Sequence, residues 1–98
     1  MTRTLEWQVR VCLTEEDGMT KAEAVLDTGI ATLTGHGTAH CNPQDVDVPA
    51  IGDELAASRA MRDIAGQLMR VADHDLEAVG AGAGSGPIPP PYGWSDIA

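Results

Sequence analysis

TLTGHGTAHCNPQDVDVPAIGDELAASRAM, residues 32–61, contains a strand, a corner and the start of a long helix. Its first nine residues alternate, with Leu33, Gly35, Gly37 and Ala39 on one face and Thr32, Thr34, His36, Thr38 and His40 on the other. That period of two is the signature of a β-strand. Gly35, Gly37 and Ala39 carry almost no side-chain volume, so an element covering this face can approach the backbone closely. Asn42-Pro43 reads as a capped turn, and Asp47-Val48-Pro49 opens a helix, where a proline lacking its N–H fits the first turn. At 100° per residue, Ala57, Met61, Ile64, Ala65, Leu68, Val71, Ala72, Leu76 and Val79 form one stripe. Asp53, Arg59, Arg62, Asp63, Gly66, Arg70, Asp73 and Glu77 fall opposite, and Gly80 is the stop.

Upstream the pattern is again of period two. From Leu5 to Leu13 the odd positions are Leu5, Trp7, Val9, Val11 and Leu13, which predicts a half-buried strand with Trp7 as the one large ring open to the core. Thr14 to Gly18 reads as a polar turn, Thr20 to Asp27 as a second strand with Ala22, Ala24 and Leu26 inward, and Thr28-Gly29 as the next turn. The expected fold class is α+β: a three-stranded antiparallel meander followed by one long helix packed on one face. The expected organisation is a β-β-β-α domain over 1–79 and a Gly-rich linker with a Pro-rich tail over 80–98.

A helix of about 30 residues spans roughly 45 Å, whereas a nine-residue strand spans about 30 Å. Part of the apolar stripe then needs a second cover, and the meander has edge strands to hide. A homodimer is the expected solution.

Composition narrows the classes. Fifteen Asp and Glu against six Lys and Arg give a formal charge of −9, which repels phosphate backbones and anionic membrane surfaces. No apolar run reaches the ~18 residues of a membrane span, and the stretch Met1 to Trp7 lacks the apolar core of a secretory signal, so a cytoplasmic location is expected. Cys12 and Cys41 are expected as free thiols in such a reducing compartment.

No catalytic set, cofactor motif or metal site emerges. The glycines of 80–86 follow a helix and run into prolines, the wrong context for a phosphate loop. His36 and His40 share a strand face but sit ~13 Å apart, far beyond the reach of a single zinc. Ser58, Ser85 and Ser95 lack nucleophile-elbow glycines. Arg59, Arg62 and Arg70 are the basic cluster that could touch a ribosome or RNA, although Asp63, Asp73 and Glu77 interleave with them. Pro89, Pro90, Pro91, Tyr92 and Trp94 form a candidate interaction tail for a protein partner or for self-docking. Small-molecule binding or catalysis between two subunits, with His36 or His40 converging from two chains, is a third possibility.

Trp7 with the first strand, Thr20-Lys-Ala-Glu-Ala-Val-Leu, Leu33-Thr-Gly-His-Gly-Thr-Ala, Asn42-Pro and Val48-Pro-Ala-Ile-Gly-Asp-Glu-Leu-Ala-Ala-Ser-Arg-Ala-Met carry a resemblance. Over roughly residues 4–79 the chain resembles a family of small actinobacterial proteins of unknown function, related to hypoxia- and dormancy-associated proteins. The resemblance implies a β-β-β-α fold grouped with double-stranded-RNA-binding-like domains, similar in outline to ribosome hibernation factors, and dimers. It brings no catalytic residue and no cofactor. The acidic charge departs from the basic surfaces of such factors.

Overall fold

The structure, a computed structural model, describes residues 1–42, 46 and 48–80. Three strands, β1 (Gln8–Glu16), β2 (Met19–Asp27) and β3 (Thr32–His40), precede one helix, α1 (Pro49–Val79). The strands form an antiparallel sheet in the order β1-β2-β3, with Glu16 opposite Met19 and Asp27 opposite Thr32. The α+β class, the meander, the bounds of β3 and the helix all match the sequence expectation.

β1 does not. It begins three residues after Leu5 and runs through Thr14-Glu15-Glu16, the stretch expected to turn. Asp17 and Gly18 both take positive φ, 51° and 77°. Two consecutive residues of that kind make the tight two-residue turn whose twist suits a hairpin. The turn therefore needs only Asp17-Gly18, and the polar residues before it are free to extend the strand. The second loop is longer and is organised by side chains: Gly29 N–H donates to Asp27 Oδ1 at 2.8 Å, and Ala31 N–H to Thr28 Oγ1 at 3.1 Å. Gly29 itself takes φ 86°.

The chain forms two compact units, Met1–Gln67 and Leu68–Ala98. In the first, α1 lies against the sheet by a contact of small residues on small residues. Gly35 and Gly37 face Ala56, Ala60 and Ile64, and a Cβ on Gly35 would sit 2.5 Å from the Ala60 carbonyl oxygen. The buried core among the described residues is Ala22, Ala24, Leu26, Ala39, Ala56, Ala60 and Ile64, with Thr20 the buried polar residue. Only Leu26 and Ile64 are large. Each contributes about 1.5–3 kcal/mol on burial, against roughly 0.8 kcal/mol for a methyl-sized group.

Two expectations are corrected here. The buried helix row is Ala56–Ala60–Ile64: Ile64 belongs to the expected stripe, but Ala56 and Ala60 lie about 100° round from its Ala57 and Met61. Close approach to the glycines selects the smallest side chains, whereas hydropathy selects the largest. Secondly, the apolar row of β1 is not half-buried: Val9, Val11 and Leu13 are 41%, 37% and 44% exposed, Leu5 65% and Trp7 47%. The helix comes close over the two glycines of β3 and, at its own Gly52, over Thr20 of β2. β1 lies two strand spacings away, about 9.6 Å, beyond the reach of a helix of roughly 5 Å radius.

In the second unit the described residues are the last turns of α1. From Met69 to Val79 only Leu76 is partly shielded, and Gly80 N–H closes the helix on the Leu76 carbonyl at 2.9 Å. No helix among the described residues is long and apolar enough to cross a membrane.

Candidate functional site

The two edges of the sheet are treated differently. At β3, three side chains of α1 reach over the strand to its outer backbone groups. The Arg59 guanidinium donates to the Thr38 carbonyl at 2.6 Å, Asp63 Oδ2 accepts from the His36 N–H at 2.9 Å, and the Gln67 amide donates to the Thr34 carbonyl at 2.7 Å. The spacing explains the match. Four helical residues rise about 6 Å and two strand residues about 6.6 Å, so positions i, i+4 and i+8 of α1 meet three successive outward-pointing residues of β3. Gln67 also donates to Asp63 Oδ1 at 3.3 Å, which links the row.

Arg59 and Asp63 were expected on the face turned away from the sheet, and they are not there. The close seat of α1 on Gly35 and Gly37 brings that flank level with the edge of β3. Arg62 is exposed beside them, and Arg70 is exposed in the second unit. Of the three arginines, Arg59 is engaged with the strand through the Thr38 carbonyl. The tail residues Pro89, Pro90, Pro91, Tyr92 and Trp94 lie outside the described residues.

β1 is the open edge. The outward pointing of Thr34, His36 and Thr38 fixes the hydrogen-bond parity of the whole sheet, because partners exchange bonds at alternate residues. Leu33, Gly35, Gly37 and Ala39 turn their backbone to β2, the odd-numbered residues of β2 turn theirs to β1, and Val9, Val11, Leu13 and Glu15 present theirs to the free edge. Their register partners Leu26, Ala24, Ala22 and Thr20 lie on the helix-covered face. One set of residues therefore carries both the unpaired backbone groups and an uncovered apolar row. Met61, 41% exposed, lies on the flank of α1 opposite Arg59 and adds to the same face.

The other sheet face is polar. Register aligns Cys12, Glu23 and His36 across the three strands, and His36 Nε2 lies 3.3 Å from Glu23 Oε2. The carboxylate stands between thiol and imidazole, so the imidazole is not placed to activate Cys12. Both partners of the pair are more than half exposed, and solvent screens it. Neither Gln67 nor the Glu23–His36 pair was found from sequence, because each is visible only once the strand register is known. Among the described residues no three His, Cys, Asp or Glu gather as a metal site, and neither Cys12 nor Cys41 is in a disulfide. His40 and Cys41 border a cleft of about 190 Å³ with Thr20, Glu15, Ile51 and Leu55, smaller than the roughly 300 Å³ of an ordinary ligand pocket. A shallow, open depression of about 520 Å³ lies over the start of β1, beside Val9, Arg10 and Asp27.

Comparison with known proteins gives a consistent picture. The family described as Rv2632c-like matches residues 5–84. The uncharacterized protein MT1780 of Mycobacterium tuberculosis (strain CDC 1551 / Oshkosh) is 42% identical over 73 residues, covering 74% of this chain and 78% of that protein. The uncharacterized protein Rv2632c of Mycobacterium tuberculosis (strain ATCC 25618 / H37Rv) is 41% identical over 71 residues, 72% of this chain and 76% of its own length. The crystal structure of Rv2632c is similar with a TM-score of 0.74 at 37% identity, covering 80% of this chain and 93% of that one.

Proposed function

The chain belongs to the Rv2632c-like family, and from that premise we propose that it is a non-enzymatic protein-interaction module whose working element is β1. The observation that carries this reading is the asymmetry of the sheet. Three α1 side chains reach the β3 edge, while β1 keeps an exposed apolar row along its open outer edge. A long, apolar, open edge is what sheet proteins ordinarily blunt, so its retention points to use. An added strand would gain main-chain hydrogen bonds from the edge and side-chain contacts from the row.

Protein is a better fit than ribosomal RNA. A phosphate footprint needs free cations, and Arg59 is already spent on a carbonyl, in a chain of formal charge −9. The polar sheet face carries Thr, His, Glu, Lys21 and Arg10 but no Phe, Tyr or Trp on which bases stack.

Site-specific photo-crosslinking in cells tests the reading. With the crosslinker at Val11, discrete protein adducts are expected; at Thr38, on the capped edge, far fewer. No protein adduct at Val11, or equal adducts at the two positions, would overturn it.

A further inference from the structure

We infer that the strand which docks on β1 is β1 of a second copy of this chain, paired antiparallel about a two-fold axis at Val9. The inference rests on the reading of β1 as a docking strand and names its occupant. In a symmetric antiparallel pair about Val9, the numbers of facing residues sum to eighteen. Leu5 then faces Leu13, Trp7 faces Val11, and Val9 faces its own copy. All five apolar residues of the row find apolar partners. Arg3 faces Glu15 on the same side, once on each flank of the axis, so the charges at the ends of the row are complementary. On the polar side Gln8 faces Arg10 and Thr4 faces Thr14.

The backbone parity agrees. Odd residues of β1 point their N–H and C=O groups to the free edge, and the Val9 register matches odd with odd, so these groups become hydrogen-bonded pairs. The register also accounts for Leu5 and Trp7. They continue the alternation of β1 but lie beyond the end of β2, where Gln8 already meets the last residue, Asp27. A second copy supplies the strand they lack. Neighbouring registers are worse: an axis at Val11 sets Trp7 against Glu15 and Glu6 against Glu16, and an axis at Cys12 sets Val9 against Glu15. The product is a six-stranded sheet with both helices on one side, its two outer edges being the β3 strands that α1 already caps. Pairing at β1 therefore closes at two copies instead of growing into a fibre.

Glu6 faces Cys12 in this register, in a non-hydrogen-bonded pair with a Cα separation of about 4.5 Å, which a disulfide tolerates. Glu6→Cys in the full chain, treated with diamide, is expected to give a covalent dimer whose bond maps by peptide mass to position 6 and Cys12 of the second copy. Wild type should not link through Cys12. Light scattering should show a dimer for wild type at micromolar concentration and a monomer for Val9→Lys, which sets two like charges on the axis. Val9 is exposed in the single chain, so Val9→Lys should keep its circular dichroism spectrum. Arg3→Glu should weaken the dimer roughly tenfold, and Arg3→Glu with Glu15→Arg should restore it. A monomeric wild type, a Cys12–Cys12 link, or no link in Glu6→Cys would overturn the inference. Crosslinks at Val11 to a different protein alone would do the same while leaving the docking-strand reading intact. No protein adduct at Val11 at all would sink both.

Discussion

β3 and β1 bound the same small sheet, with opposite chemistry. β3 is poor in side-chain volume on its inner face, and its outer backbone groups are occupied by Arg59, Asp63 and Gln67. β1 is rich in side-chain volume on that same face, and its row stands in solvent. The bulky residues thus sit where the helix is not. In a self-contained domain the large apolar residues and the covering helix would coincide. Their separation teaches that intramolecular packing here is limited by how closely backbones approach, and that the apolar residues of β1 are available to another molecule.

The sharpest way to break the comparison is to remove the smallness of β3. A Cβ on Gly37 would meet the Ala56 carbonyl oxygen and, at 2.5 Å, the Ala60 amide nitrogen. Both are backbone atoms that cannot swing aside. Gly37→Ala should cost at least about 3 kcal/mol, read as a lost or strongly lowered thermal transition. Ile64→Ala comes next. It empties the one large helix residue in the core, 3% exposed, and should cost about 2–3 kcal/mol in denaturant unfolding.

Much of the covered half can be read without coordinates. Gly35-x-Gly37 marks a close-approach strand, Pro49 and Gly80 frame the helix, and both elements fall where the pattern puts them. The uncovered half is less legible. Alternation from Leu5 to Leu13 announces a strand but does not say which positions find a partner strand. The Asp17-Gly18 turn decides that, and it shifts the pairing three residues along. The edge caps are hidden for another reason. Arg59, Asp63 and Gln67 at i, i+4 and i+8 look like any solvated helix face until the depth of the helix seat is known. Size misleads as well: a hydropathy-weighted stripe centres near Met61, whereas packing centres on Ala60.

The caps offer a smaller but more specific test. Arg59→Ala, Asp63→Ala and Gln67→Ala together release three hydrogen bonds at an exposed edge, where water replaces the lost partners. The stability loss should be only about 1–2 kcal/mol. The informative readout is assembly: with β3 open the protein gains a second sticky edge, and size-exclusion chromatography should show species above the wild-type mass at matched concentration. An unchanged elution profile would mean that the caps are incidental to edge protection.

The smallest expected effect lies on β1 itself. Leu13→Lys replaces a side chain that is 44% exposed and faces Ala22 across the strand pair, on the stretch of sheet the helix leaves open. In the isolated chain the lysine stem can lie along the sheet with its ammonium in water. Substitutions at such positions ordinarily change stability by less than about 0.5 kcal/mol. Thermal unfolding followed at high dilution, where intermolecular contacts are absent, should therefore be nearly that of wild type. The same change in a core strand would cost several kcal/mol, since an unpaired charge would be buried. A loss above about 2 kcal/mol at high dilution would show that the β1 row is covered within a single chain, and the contrast between the two edges would then disappear.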